Sequence, residues 1–340
     1  MGNNVLLLNG TDLLNAWDGS IDGVVDAVRR AFVSYANGSV LFPEKSSLIF
    51  NEKVQDRINC MPAAVKDMHR AGVKWVSVFP ENPSLRGLPN VGGIMVLSDT
   101  DTGQTLSLMD AGVLTALRTS AVDALAARYL APEGFDSLAL IGTGEQAFYH
   151  ARFLAPGGSG TTVRVSGRNP RHTARLVKRL LNVGINAIDF GSDMATAVSG
   201  SGVVVTAISG QAPVLKSDWI DSGMLYCHVG GWEDEFEVAK KADAIVCDDW
   251  DALKHRGSPT IARMYVQGLL TDKDIYANLT DIVIGNKPGR VSPDQFIYFN
   301  AIGLSFIDAA VADWLYGRSM QLEIGSWFDF LSKDESGELS

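Results

Sequence analysis

The ten residues LALIGTGEQA, Leu138 to Ala147, restrict the fold more than any other stretch of this chain. An apolar run stops at Gly142 and continues through Thr143, Gly144, Glu145 and Gln146 into the helical pattern EQAFYHARFLA. A strand that turns directly into a helix around a pyrophosphate needs these residue types at this spacing. Glycine is needed at Gly142 for the tight turn and at Gly144 so that backbone can approach phosphate, and a small residue at Ala147 lets the helix pack close to the strand. The first turn of such a helix offers unpaired N–H groups and the positive end of its dipole to an anion. A GxGxxA string alone is weak, because glycine-rich turns are common. Here an apolar strand precedes it, a helix follows, and the next strand, TVRVSG, ends at Ser166-Gly167-Arg168, so the expectation is a dinucleotide site rather than a bare tight turn.

The same alternation continues through GVVVTAIS, MLYCHVGG, AIVCDD and DIVIGN, which predicts a mostly parallel sheet with helices on both faces. The preceding region is mixed. DGVVDAVRRAFVSYANG predicts a helix ending at Gly38, GVKWVSVFP and GGIMVLSD predict strands, and DTDTG predicts a hairpin joining Ile94–Ser98 to Thr105–Leu108. A long helix is expected from about Asp110 to Leu130, and FNAIGLSFIDAAVADWLYG predicts a closing helix. The fold class is therefore α/β, with a Rossmann-type doubly wound parallel sheet over 126–304. A discontinuous α+β domain is expected from 1–125 and 305–332, and 333–340 is expected to be a disordered polar tail.

Composition narrows the partners. The 340 residues exceed what one core usually serves, and 46% hydrophobic content is ample for two. A net charge of −10 with the signs interspersed leaves no basic stripe, which disfavours nucleic acid or an anionic membrane and favours a small molecule. No apolar run approaches the roughly 20 residues of a membrane span. MGNNVLLLNG lacks the positive lead of a signal peptide, so a cytoplasmic location is expected. Cys60, Cys227 and Cys247 form no CxxC pair and the five histidines are scattered, so nothing local indicates a disulfide framework or a metal site.

The end of the second strand reports on the cofactor. NAD binders usually carry a carboxylate there for the ribose 2′-OH. Ser166, Arg168 and Arg171 occupy this corner instead, and guanidinium beside a small residue suits a 2′-phosphate, which favours NADP(H) and leaves NAD(H) possible. The alternative is that Arg168 stacks on adenine or is simply solvated.

Three further features place charge where it is costly. Strand alternation puts Lys74 on the face of Val76 and Val78, and helical spacing puts Arg118 on the stripe of Leu114, Ala121 and Leu125. Buried cations require partners: either internal carboxylates, or a substrate carboxylate for which Arg118 supplies a planar two-point grip. A desolvated Lys74 can hold a depressed pKa and exchange a proton with a carbon–nitrogen centre. The acidic run Glu233, Asp234, Glu235 follows the strand MLYCHVGG, where a doubly wound sheet binds its ligands. One of the three, Glu233, Asp234 or Glu235, can act as a base or ammonium partner; the alternative is a solvated loop.

With GVKWV, DTDTGQTLSLMD, LTALRTSAVDALAARYLA, LALIGTGEQA and FNAIGLSFID in this order, the chain resembles the ornithine cyclodeaminase/mu-crystallin family over nearly its whole length. TALRTSA is more specific than the glycine turn. The resemblance implies that the discontinuous domain binds substrate and forms a homodimer. It also implies that Lys74 contacts the substrate, Arg118 holds its carboxylate, and Lys45 or Arg57 adds a further cation. On the cofactor side it implies Arg118, Thr119, Gly142, Thr143, Gly144, Glu145, Gln146, Ser166, Arg168, Arg171, Thr206, Ala207, Gly230 and Gly303. Family members move hydride between nicotinamide and the α-carbon of an amino acid or its imine. Cyclodeaminases carry an aspartate after a Val-Gly-Gly strand where VGGWEDEFE has Trp232, and AIVCDDW and NKPGR look more like N-(2-amino-2-carboxyethyl)-glutamate dehydrogenases and imine reductases. The expected activity is thus an NAD(P)-dependent amino-acid dehydrogenase or ketimine reductase. A cyclodeaminase that releases ammonia from ornithine or lysine, and a non-catalytic ligand-binding protein, are the alternatives.

Overall fold

The structure is a computed structural model that describes residues 4–51, 53–210 and 212–330. The expected tail 333–340 lies outside these residues. The chain divides into two compact units, Met1–Arg118 with Ser305–Ser340, and Thr119–Leu304. The first division falls inside one continuous helix, Ala111–Leu130, so no break in composition marks it and the expectation at 125/126 lay further along the same helix.

The first unit is built on a mixed sheet of eight strands. Its order is Ser326–Asp329, Asn4–Leu8, Thr105–Asp110, Val91–Asp99, Arg70–Val78, Asp56–Val65 and Val40–Leu41, with Ser46–Asn51 also paired to Asp56–Val65. The DTDTG turn joins Val91–Asp99 and Thr105–Asp110 antiparallel; Asp99 accepts the N–H groups of Asp101 and Thr102, and Gly103 supplies the positive φ of +74°. Period-2 alternation sorts the sheet faces. Met61, Val76, Met95, Leu97 and Met109 are buried, whereas Trp75 and Ile94 on the other face are exposed; the outlying strand Ser46–Asn51, with Leu48 and Phe50, is exposed on both faces. Helices Gly10–Trp17, Ile21–Ala36 and Ser305–Gln321 pack with this unit, the last of them against Asp56–Val65 and Arg70–Val78.

The second unit has an all-parallel sheet of eight strands. The order is Ala187–Asp189, Thr162–Ser166, Ser137–Ile141, Val203–Thr206, Leu225–His228, Ile297–Asn300, Ala244–Cys247 and Ile275–Asn278. Its central strands are buried along their length, which is why they read as unbroken apolar runs. The chain winds outward from Ser137–Ile141 and returns to that strand's other side with Val203–Thr206, a topological switch point at which such sheets bind ligands.

Two sequence expectations are corrected here. DIVIGN is not a strand: its apolar residues close the helix Leu279–Val283, started by an Asn278/Asp281 capping box, and the strand is the preceding IYAN. Periodicity does not separate runs this short. The closing helix starts at Ser305 rather than at Phe299, because Ile297–Asn300 is a central strand and Gly303, at φ +83°, turns the chain out of it.

Candidate active site

In the first unit, one carboxylate gathers both misplaced cations. Lys74 Nζ lies 2.6 Å from Asp308 Oδ1, and Arg118 Nε lies 3.0 Å from the same oxygen, though off the line of a hydrogen bond. Asp308 is fully buried, Lys74 is 1% exposed and Arg118 9%. Among the described residues no other carboxylate stands within ion-pair distance of either cation. The internal-partner reading is thus met only in part: two positive charges face one negative charge. Burial pushes the Lys74 ammonium down to about 8, against the pull of Asp308 and with the help of Arg118.

The sheet register locates the two candidates for the further cation. Lys74 is paired with Met61 on one side and Met95 on the other. Arg57 lies four residues along the same strand from Met61, hence on the face of Lys74. It is half-buried, its Nη1 donates to the Gln55 carbonyl at 2.9 Å, and burial lowers its pKa. Lys45, also half-buried, immediately precedes Ser46, which pairs with Cys60 beside Met61.

In the second unit the glycine turn has the geometry a dinucleotide needs. Gly142 adopts φ +135°, and a Cβ there would stand 2.3 Å from the Ala207 carbonyl oxygen, so the close approach of the two switch-point strands requires glycine. Gly144 caps the helix Glu145–Leu154 without a side-chain acceptor, and a Cβ on it would meet nothing within 4 Å. The helix N-terminus is therefore not covered by a capping side chain, and there is room for a ligand beside Gly144. Ala147 is fully buried, as close packing demands. Behind it His150, also buried, sets Nε2 3.0 Å from Asp123 Oδ2 and Nδ1 2.7 Å from the Gln146 carbonyl, which fixes the helix against Ala111–Leu130. Glu145 turns sideways into an ion pair with Arg179 at 2.5 and 2.7 Å. Residues Gly142 to Gln146 fit a bound pyrophosphate. At the ribose corner, Arg168 and Arg171 are exposed, but the buried Ser166 hydroxyl donates to the Gly191 carbonyl at 2.9 Å and is turned inward.

The model of the ornithine cyclodeaminase/mu-crystallin family matches residues 17–322. The chain belongs to this family. It is 29% identical to N-((2S)-2-amino-2-carboxyethyl)-L-glutamate dehydrogenase of Staphylococcus aureus, over 96% of this chain and 98% of that one. Its structure is similar to that of Thermococcus litoralis Δ1-pyrroline-2-carboxylate reductase in complex with NADH and L-proline, with a TM-score of 0.87, 28% identity and coverage of 95% and 99%. It is also similar to an archaeal alanine dehydrogenase dimer with bound NAD, with a TM-score of 0.86, 31% identity and coverage of 96% and 99%.

Within this family frame the acidic run is placed unexpectedly. Glu233 and Asp234 are fully buried inside the second unit and are not presented to solvent. Glu233 accepts from the Thr206 hydroxyl, the Ile208 N–H and the Gly230 N–H, each at 2.8 Å. Asp234 Oδ1 accepts from Thr260 at 2.6 Å and lies 3.0 Å from His228 Nδ1. Burial lowers the His228 pKa, but the hydrogen bond and charge of Asp234, with the charge of Glu233, outweigh it and the net shift is upward. Glu233 is shifted upward by burial, against His228 and its three donors. Glu235 accepts from the Ser217 N–H at 3.0 Å. The carboxylates expected to serve the reaction thus hold the protein's own donors. Of the other expected cofactor residues, Thr119 is buried on Ala111–Leu130 and Ala207 closes on Gly142. Gly303 donates to Asp248 at 2.9 Å, and burial lifts Asp248 to about 7.

Sequence reasoning missed Asp308. The signal was available: a lone acid in SFIDAAVA, on a helix turn otherwise free of charge, is misplaced for the same reason as Arg118.

Proposed function

We propose that this protein interconverts an α-amino acid and its imine, Arg118 gripping the α-carboxylate and Lys74 exchanging a proton with the nitrogen. The chain is an NAD(P)-dependent oxidoreductase of the CH–NH/C=N class; the bound nicotinamide supplies or accepts the hydride at the α-carbon. One observation carries the assignment of roles: the buried Lys74–Asp308–Arg118 cluster holds one positive charge more than negative, and a substrate carboxylate balances it. Lys74, at about 8, sits where a group both gives and takes protons near neutral pH. Arg57 and Lys45 extend the same sheet region and are assigned to the carboxylate end.

The test is a panel of 2-oxo acids with ammonia or primary amines, and of cyclic imines, assayed with NADPH and NADH. At least one imine is expected to oxidise the cofactor. Arg118→Lys keeps the charge but loses the planar fork, so KM for that substrate should rise about 10- to 100-fold, the equivalent of one charged hydrogen bond. Unchanged kinetics would remove Arg118 from the carboxylate site. Proline and ammonia formed from ornithine with catalytic NAD, and no imine turnover, would establish the cyclodeaminase instead. Tight ligand binding without any turnover would make it a binding protein.

NADP(H) is the favoured cofactor, since Arg168 is exposed at the ribose corner and has no ion pair among the described residues. Arg168→Ala should raise KM for NADPH about tenfold and leave that for NADH nearly unchanged. Equal effects on both would assign Arg168 to the adenine. The exposed apolar sheet face with Leu48, Phe50, Trp75 and Ile94 suits a second copy of the chain, and we assign a homodimer. The described cysteines are free thiols, which fits a reducing compartment, the cytoplasm.

A further inference from the structure

The cluster of Lys74 on Arg70–Val78, Arg118 on Ala111–Leu130 and Asp308 on Ser305–Gln321 carries an excess positive charge in a buried place. Such an excess is relieved either when a cation loses its proton or when an anion enters. A guanidinium does not act as a proton donor in proteins, so the lysine ammonium is the group of the cluster that can release a proton. The two reliefs oppose each other. Once a carboxylate lies against Arg118 the charges balance, and Lys74 holds its proton again.

We propose that Asp308 is a positioning residue that couples these events, so that binding of the substrate's carboxylate loads onto Lys74 the proton that the imine nitrogen receives. This rests on the amino-acid/imine reading above and adds when the proton arrives. Both cations meet one oxygen, Asp308 Oδ1, while Oδ2 has no hydrogen-bond partner among the described residues. A movement of Arg118 toward a ligand therefore alters the charge felt by Lys74 through a single shared atom. The charged groups acting on Lys74 are Asp308 and Arg118; its ladder neighbours Met61 and Met95 are neutral. The proton balance closes. Where Nζ has lost its proton, solvent returns one as the carboxylate binds; the protonated Nζ then passes it to the nitrogen as the C=N bond is reduced, and a neutral lysine amine remains.

Isothermal titration of the protein with pyruvate and with 2-oxoglutarate, in the presence of oxidised cofactor and without amine, measures this without turnover. The dependence of the heat on buffer ionisation enthalpy counts protons. With Lys74 at about 8, the wild type should take up about half a proton per site near pH 8 and almost none near pH 6. Lys74→Met should bind the oxo acid with no buffer dependence. Asp308→Asn should move the uptake at least one pH unit lower, since it removes the charge that holds the proton on Lys74. Binding by the wild type at pH 8 without uptake, or uptake that persists in Lys74→Met, overturns the coupling even if Asp308→Asn does not fold. If neither oxo acid binds, the carboxylate reading of Arg118 fails and the coupling fails with it.

Discussion

Lys74→Met is expected to lower turnover by about 10²- to 10⁴-fold, the range a positioned general acid contributes, while leaving the affinity for reduced cofactor unchanged. On the proposed roles, Lys74 Nζ is the proton-bearing group that shares an anchor with the carboxylate-binding Arg118. The variant is well suited to the test because it should fold. Methionine has a similar length, and the substitution leaves Arg118 and Asp308 as one balanced pair. The stability expectation has a definite sign. Lys74 is held at about 8 in the folded protein, below its ordinary 10.5, so between these pH values the unfolded chain binds more protons and wild-type stability rises with pH. Below about pH 8 the buried charge costs the wild type roughly 3 kcal/mol that the variant is spared. Thermal melts at pH 7 and pH 10 should show Lys74→Met gaining on the wild type at the lower pH. In the imine-reducing direction, wild-type kcat/KM should fall as pH rises through about 8, and Lys74→Met should lack that limb. Turnover within threefold of wild type would end the assignment.

How far the sequence led depended on whether a residue's neighbours were local. Gly142 and Gly144 were readable because a phosphate turn is written in consecutive residues, although the contact that demands glycine at 142, the Ala207 carbonyl, is remote in sequence. Lys74 and Arg118 were readable as violations of periodicity. What they violate it for was not, because Asp308 comes from a helix 190 residues beyond Arg118, brought to the sheet by the chain's return at Ser305. The strand Ile297–Asn300 was hidden for a related reason: its FN ending runs on into residues with helical spacing, and only Gly303 marks the corner. At Glu233 local logic pointed the wrong way. An acidic run in a loop is normally solvated, yet here the turn after His228 folds two of its three carboxylates inward against donors from Thr206, Ile208, Gly230 and Thr260.

That inward placement leads to the second large effect. Glu233→Ala is expected to destabilise the protein by about 3–5 kcal/mol, as when one member of a buried charged cluster is removed and its partners remain. The Thr206 hydroxyl and the Ile208 and Gly230 N–H groups lose their shared acceptor, and His228 loses one of two nearby carboxylates. For a unit the size of Thr119–Leu304, this corresponds to a fall in Tm on the order of 10 °C. Glu233→Gln separates this role from catalysis. The amide keeps one acceptor oxygen but turns an NH2 group toward a donor, so a structural Glu233 predicts an intermediate loss of Tm with kcat of the surviving folded protein near wild type. A catalytic Glu233 predicts the reverse: an unchanged melt and a collapsed kcat. Acidity sharpens the contrast. Burial holds Glu233 above its ordinary pKa, so the native state binds more protons than the unfolded chain as pH rises out of the ordinary carboxylate range, and wild-type stability falls across that window. The Tm advantage of wild type over Glu233→Gln should therefore narrow as pH rises through it, a trend that a purely catalytic carboxylate open to solvent would not produce.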